Sequence, residues 1–362
     1  MPETKRKIYV DRLRSFTILL LFPVHTLMIR NDFGTRFYVW LGGDRLASTL
    51  ITVINPWFMP LLFVLAGISA KHSLEKRLPR EFIRGRTVKL LIPFLFGIVF
   101  LVPFQTLFAR RFFDGYEGGI LENLRYFFTH LTDFSGYDGA YTPGHLWFIL
   151  FLYLISLLSL PLLRRLPYEK ISKKAEALPF PAFFLFVLPI GIFYYLGNFG
   201  TFSLGKSFVL YLLGFCVFSN ESVIDCLARR VGLLAFLFAG GALLQFCLYF
   251  FFAYYGDWWV HLFGWTAILF LLAFGKKFLN RQTRLTAPFS RVSYPIYLLH
   301  QSILVGIAFY LSRYTESFPV LALVTCFGSL LLTFAAYFIL RKIPLIRIGI
   351  GVAEKPLRKK LF

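Results

Sequence analysis

The sequence predicts an all-α fold: a polytopic membrane helical bundle of about ten transmembrane helices, with both termini cytoplasmic. Three observations carry this. The 362 residues are 57% hydrophobic and only 16% charged, with a mean hydropathy of +0.67, whereas an ordinary soluble domain is about 25% charged. The apolar residues gather into runs near the ~20 that a helix needs to cross the hydrocarbon. The basic residues sit in short segments between those runs.

Ten runs qualify, near 13–29, 46–70, 90–109, 145–163, 179–197, 202–219, 231–253, 258–275, 292–312 and 318–340. The first follows Lys5, Arg6 and Lys7, as a signal peptide would, but Ile29 is followed by Arg30, Asn31 and Asp32 and not by a small-residue cleavage site, so it reads as a retained span. Pro56 and Pro60 interrupt the second run and Pro103 the third, freeing carbonyls that must be satisfied inside the protein. Pro93, after Leu90-Leu91-Ile92, fits the first turn of the third span. The fifth and sixth runs are separated only by Gly197 to Thr201, and the seventh and eighth by Tyr254 to Asp257, so each pair is two spans or one hairpin. Residues 1–345 form the transmembrane domain and 346–362 a basic cytoplasmic tail.

Lys and Arg set the orientation. With a cytoplasmic N-terminus, 31 of the 39 basic residues fall on the inside, while the 18 acids divide evenly. This asymmetry absorbs the formal charge of +21. A basic cytoplasmic face is what insertion and anionic lipid require, so nucleic acid is not needed as a partner. Cys216, Cys226, Cys247 and Cys326 have no CxxC spacing and no paired His ligands, which indicates neither a metal nor a disulfide framework. The longest non-membrane stretch, 110–144, is rich in Gly, Tyr and acids. It suits a sugar or polyol, or is a solvated connector.

Ionisable groups inside spans are expensive and mark functional sites by default. His25 leads. Arg14 lies eleven residues earlier, on nearly the same helix face and about 16 Å away along the axis, with Asp11 one turn before it. A cation at the boundary and an imidazole deep in the bilayer suit a donor with a polyanionic head and a long thin arm, such as an acyl coenzyme A. Imidazole is also the side chain best matched to take a hydroxyl proton near neutral pH. Arg86 and Lys89 share a helix face at i, i+3 and are candidates for phosphates or a developing oxyanion, or serve only positive-inside sorting. His300 is a second intramembrane imidazole, and His145 with Trp147 starts the fourth span at an interface. A structural hydrogen bond is the other reading of each histidine. Lys206 reads as snorkelling outward and His261 as interfacial.

Five stretches, in order, resemble the acyltransferase 3 family of integral membrane acyltransferases, most closely its glucan biosynthesis, succinyltransferase-like branch. They are Tyr9-Val10-Asp11-Arg12-Leu13-Arg14 with His25 eleven residues on; Pro56 to Gly67; Arg86 to Gly97; Gly144 to Phe148; and Ser293 to His300. The resemblance implies ten spans and transfer of an acyl group, acetyl or succinyl, from cytoplasmic acyl coenzyme A to a hydroxyl of an extracytoplasmic acceptor. It implies an essential role for His25 and a supporting one for an Arg pair matched here by Arg86 and Lys89. Lysine in place of the second arginine keeps a point charge and loses the bidentate fork. A glycan acceptor in the cell envelope, the bacterial cytoplasmic membrane, separate polysaccharide-synthesis proteins and no metal complete the expectation. A glycan or lipid-linked saccharide transporter using His25 and His300 as proton relays is the rival, and coenzyme A dependence separates the two.

Overall fold

A computed structural model describes residues 7–34, 36–199, 202–281 and 286–352. Most of the tail expected at 346–362, from residue 353 on, lies outside the described residues. In chain order the helices are α1 (Ile8–Leu27), α2 (Arg45–Ile54), α3 (Phe58–Leu74), α4 (Pro79–Arg86), α5 (Ile92–Phe100) and α6 (Val102–Phe113). Then come α7 (Ile120–Thr129), α8 (Trp147–Arg165), α9 (Tyr168–Glu176), α10 (Val187–Tyr194), α11 (Leu204–Cys216) and α12 (Glu221–Arg229). The last are α13 (Val231–Phe252), α14 (Asp257–Phe278), α15 (Thr286–Leu311), α16 (Phe318–Leu340) and α17 (Pro344–Gly349). One two-residue antiparallel pair, β1 (Asn198–Phe199) and β2 (Phe202–Ser203), is the only sheet among the described residues.

Eight helical stretches among the described residues are long and apolar enough to cross a membrane, and nine if α11 and α12 count as one broken span. The protein is therefore an all-α, multi-pass membrane protein. The departures from ten fall at the fifth and sixth runs. Phe180–Phe186 is a 3₁₀ helix entered through Pro181, and it continues into α10. With a ~2.0 Å rise per 3₁₀ residue and ~1.5 Å per α residue, this short segment reaches about 26 Å. The sixth run ends at Asn220, whose side chain accepts from Ser222 N–H at 2.9 Å and starts α12 at 99° to α11. Val223, Ile224 and Leu227 of α12 are buried on one side, as in a surface helix.

The third run also starts earlier than expected. Helical backbone runs from Pro79, and a π-helical turn at Thr87–Leu91 precedes Pro93, which is thus interior to a longer helical stretch. Proline cannot bond the carbonyl four residues back, here that of Lys89. The Tyr294 hydroxyl donates to that carbonyl at 2.7 Å.

The chain divides into two compact units. One comprises residues 1–20, 44–83 and 151–290. In it α3 and α11 pack closely: a Cβ on Gly67 would lie 2.1 Å from the Tyr211 carbonyl oxygen, and one on Gly214 would lie 2.1 Å from that of Val64. Small residues let membrane helices approach this closely. Trp265 donates to the Phe183 carbonyl at 2.8 Å. Lys7 pairs with Glu221 at 2.6 Å, and burial holds its ammonium below the usual lysine value although the carboxylate pulls the other way.

The other unit comprises residues 21–43, 84–150 and 291–362. Its α16 is inverted relative to a soluble helix: Thr325, Ser329 and Thr333, spaced by four, are buried, while Val324, Phe327, Leu331 and Leu332 face outward. An apolar exterior with polar groups turned inward is what lipid demands. Ile29, Phe37, Val39, Ala109, Leu304, Val305 and Phe309 are in its buried core.

Candidate active site

Three chain segments of the second unit converge on a cluster of imidazoles, and each has a local reason for its course. After α1 the chain turns through a 3₁₀ helix at Met28–Arg30. Asn31 fixes the reversal: its side chain donates to the Met28 carbonyl at 2.8 Å and its own carbonyl accepts from the Trp40 indole at 2.9 Å. The returning strand of chain bonds Leu41 N–H to the Ile29 carbonyl at 2.9 Å and lays Phe37 on His25, with rings stacked at 5.9 Å. Ahead of α8, Gly144 adopts φ +51°, a left-handed value that favours glycine. The 3₁₀ turn Gly144–Leu146 that follows carries His145 inward. Gly97 leaves room for it, since a Cβ there would lie 2.4 Å from Leu146. α15 supplies Tyr297, His300, Gln301 and Ser302.

The His300 ring lies 5.3 Å from that of His25 and 5.2 Å from that of His145, with Phe22 edge-on at 5.5 Å. Hydrogen bonds to carbonyls define where the ring protons sit, because a carbonyl only accepts. His145 Nε2 lies 3.0 Å from the Leu298 oxygen, so it carries the hydrogen, and Nδ1 accepts from the Gln105 amide at 3.3 Å. His300 Nδ1 donates to the Tyr297 oxygen at 2.6 Å. A neutral His300 therefore presents a lone pair at Nε2, and that nitrogen is buried with no hydrogen-bond partner among the described residues. His25 Nδ1 is likewise buried without a partner, and no hydrogen bond among the described residues fixes the His25 tautomer. Two adjacent imidazoles thus each hold an unpartnered nitrogen inside the bundle, which is costly to leave so.

A polar chain supports the cluster. The fully buried Gln105 donates to Ser302 Oγ at 2.8 Å as well as to His145, and its carbonyl oxygen accepts from the Gln301 amide at 3.2 Å. Ser302 passes on to the Leu101 carbonyl at 2.9 Å. The Tyr297 hydroxyl donates to the His145 carbonyl. On the other side of His25, Phe37 meets Tyr38 at 5.3 Å and Tyr137 at 6.3 Å. Burial pushes the Tyr137 phenol up to about 12 and the Tyr38 phenol higher. Both hydroxyls remain protonated at neutral pH.

The structure brings together His25, His145 and His300 from the residues that the sequence singles out. His145, the second residue of the span Gly144–Arg165, is buried within the protein at 5% exposure, because the Gly144 turn directs it inward. Trp147 packs edge-on against Phe148 at 6.3 Å, and Phe148 meets Tyr297 at 5.9 Å. Arg86 ends α4 and Lys89 lies in the π turn, so the pair straddles a change of helix type and not a uniform i, i+3 face. Arg14 and Asp11 belong to the first unit; Arg14 bonds Asp11 Oδ1 at 3.2 Å and Ser69 Oγ at 2.9 Å. Gln105, Gln301, Ser302, Tyr297 and Phe37 are the residues that sequence reasoning did not place in the site. An amide within an apolar span, as at Gln105, was the available signal. The 110–144 stretch is an ordered element: Arg110 is held between the Tyr116 and Tyr126 rings, 3.8 and 4.3 Å from their centroids.

A cluster of buried imidazoles in a polytopic helical bundle is the candidate site of this integral membrane protein. Residues 7–338 match the model of the acyltransferase 3 family, described as an acyltransferase domain, and the chain belongs to that family. It is a multi-pass membrane acyltransferase. No curated protein and no solved structure matches the chain.

Proposed function

We propose that the protein is an O-acyltransferase that moves an acetyl or succinyl group from cytoplasmic acyl coenzyme A to a hydroxyl of an extracytoplasmic glycan, in the cytoplasmic membrane of a bacterium. The observation that supports it is the pair of unpartnered nitrogens on His25 and His300. In this reading His25 takes the proton of the acceptor hydroxyl as its oxygen attacks the thioester carbonyl. The carbon–sulfur bond breaks, an ester forms, and the proton leaves with the coenzyme A thiolate. Attack by His25 itself, giving an acyl-imidazole that the hydroxyl then resolves, uses the same groups. His300, its tautomer held by the Tyr297 carbonyl, is the neighbouring acceptor for the proton, and His145 buttresses it. Arg14, Arg86 and Lys89 are assigned to the donor's phosphates, with Asp11 orienting Arg14, and Trp147 supports the His145 turn. The basic-inside charge bias supports a cytoplasmic N-terminus. The acceptor reading favours a glucan, presented by separate polysaccharide-synthesis proteins.

The test supplies radiolabelled acetyl- or succinyl-coenzyme A and a glucan to the purified protein in lipid, with His25→Ala and Arg86→Ala in parallel. Label should pass to the glucan, fall by about 10²–10⁴-fold in His25→Ala, and show a raised KM for donor in Arg86→Ala. Transfer undiminished in a folded His25→Ala protein would remove His25 from the chemistry.

A further inference from the structure

Residues 110–144 read in sequence as the longest stretch outside the membrane, yet α7, which lies within it, carries an apolar surface that water does not favour. Its buried positions are Asn123 and Phe127, and Tyr126 meets the Arg110 guanidinium. At about 100° per residue, these three share one broad sector of the helix. Leu121, Leu124 and Phe128 fall in a second sector of about 60°, with Leu121 80% and Phe128 49% exposed. Glu122, Arg125 and Thr129, all exposed, fall in a third of similar width. Leu131, 70% exposed, and Phe134, 51%, extend the apolar surface past the helix. A soluble amphipathic helix needs two sectors, one for the core and one for water. α7 has a third, and contiguous exposed apolar surface marks a partner.

The place where α7 is held indicates the partner. Asn123 donates to the Pro103 carbonyl at 3.0 Å and to Thr106 Oγ1 at 3.2 Å. These two lie before Arg110 in the span Pro79–Phe113, about 10 and 6 Å along the helix axis from its basic end. Between them Phe104 turns its ring outward, as Phe100 does one turn earlier, on the lipid-facing side of the span. The apolar sector of α7 therefore borders a surface that lipid already covers. Arg110, clamped between Tyr116 and Tyr126, and Arg111, which donates to the Gly118 carbonyl at 3.3 Å, tie the chain down at that end. Tyrosine and basic side chains at the end of a span are characteristic of the membrane–water boundary.

We infer that α7 is an in-plane interfacial helix. Its Leu121, Leu124 and Phe128 sector is seated in the acyl region of the adjoining leaflet, and its Glu122, Arg125 and Thr129 sector faces headgroups and water. Arg125, at the edge between the two, snorkels to a lipid phosphate. The helix anchors the loop that follows it. Tyr141 N–H of that loop bonds the His130 carbonyl at 3.0 Å, and its Tyr137 packs edge-on against Phe37 of the site at 6.3 Å.

Nitroxide labels on the full-length protein in a cysteine-free background, reconstituted in vesicles of phosphatidylethanolamine and phosphatidylglycerol, test this. Leu121→Cys and Phe128→Cys report on the apolar sector, Glu122→Cys and Thr129→Cys on the polar one. Each label is challenged with oxygen, which partitions into hydrocarbon, and with a water-soluble nickel chelate. The oxygen-to-nickel collision ratio should be several-fold higher in Leu121→Cys and Phe128→Cys than in Glu122→Cys and Thr129→Cys. Nickel collisions equally frequent in all four variants would place the apolar sector in water and overturn the inference. Labels in Leu121→Cys and Phe128→Cys that are shielded from both reagents would place it against protein, which overturns it equally. If Phe128→Cys does not fold, the exposed neighbours Leu121→Cys and Glu122→Cys carry the comparison alone.

Discussion

Gln105→Leu isolates what the polar chain contributes to the histidine cluster. Leucine fills the volume of the glutamine, so no cavity opens, and the change is confined to hydrogen bonds. Gln105 donates to His145 Nδ1 and Ser302 Oγ and accepts from Gln301 Nε2. Ser302 keeps its bond to the Leu101 carbonyl. His145 Nδ1 and the Gln301 amide are left buried without a partner. At about 1–3 kcal/mol for each of the two orphaned groups, the fold should lose about 2–6 kcal/mol, read by equilibrium unfolding in mixed micelles. Transfer should fall less than in His25→Ala, because His145 is displaced and the base is retained. A variant as stable as wild type would refute the hydrogen-bond assignment. One that is destabilised yet transfers at the wild-type rate would show that the chain holds the helices and not the imidazoles.

Gly67→Ala should separate α3 from α11 by about 1 Å, since its Cβ would start 2.1 Å from a backbone oxygen that cannot rotate away, and should cost about 1–3 kcal/mol in the same unfolding assay. Gly232→Ala, with nothing within 4 Å of the added atom, should leave stability equal or slightly raised. Gly144→Ala should strain the φ +51° turn by about 1–2 kcal/mol and lower kcat through the position of His145 with donor KM unchanged. In a cysteine-free background, His130→Cys should react with an impermeant thiol reagent in intact cells and Lys76→Cys should not; the reverse pattern would invert the assigned orientation.

Hydropathy runs and charge asymmetry were enough for the fold class, because a membrane imposes one rule on every span: apolar outside and backbone bonds satisfied within. Where the sequence misjudged length, local geometry differed from uniform α-helix. A 3₁₀ segment stretched the fifth run, Asn220 turned the chain after the sixth, and a π turn absorbed Pro93 into a helix that begins at Pro79. Each departure depends on hydrogen bonds made across the fold, such as the Tyr294 hydroxyl on the Lys89 carbonyl, which no run of hydropathy contains.

The site divides in the same way. Residue type and depth in an apolar run marked His25, His145 and His300, since an imidazole within a span is costly wherever the span ends up. Their convergence was not legible. His25 and His300 lie 275 residues apart in sequence, and the glycine turn that buries His145 reads in sequence as an ordinary interface. By itself the sequence determined that this is an all-α membrane protein with a small set of buried ionisable groups, because those properties follow from the solvent. Only the tertiary structure decided that three of the imidazoles cluster, and which of the His145 and His300 nitrogens are spent on carbonyls and amides, because those depend on partners brought from distant parts of the chain.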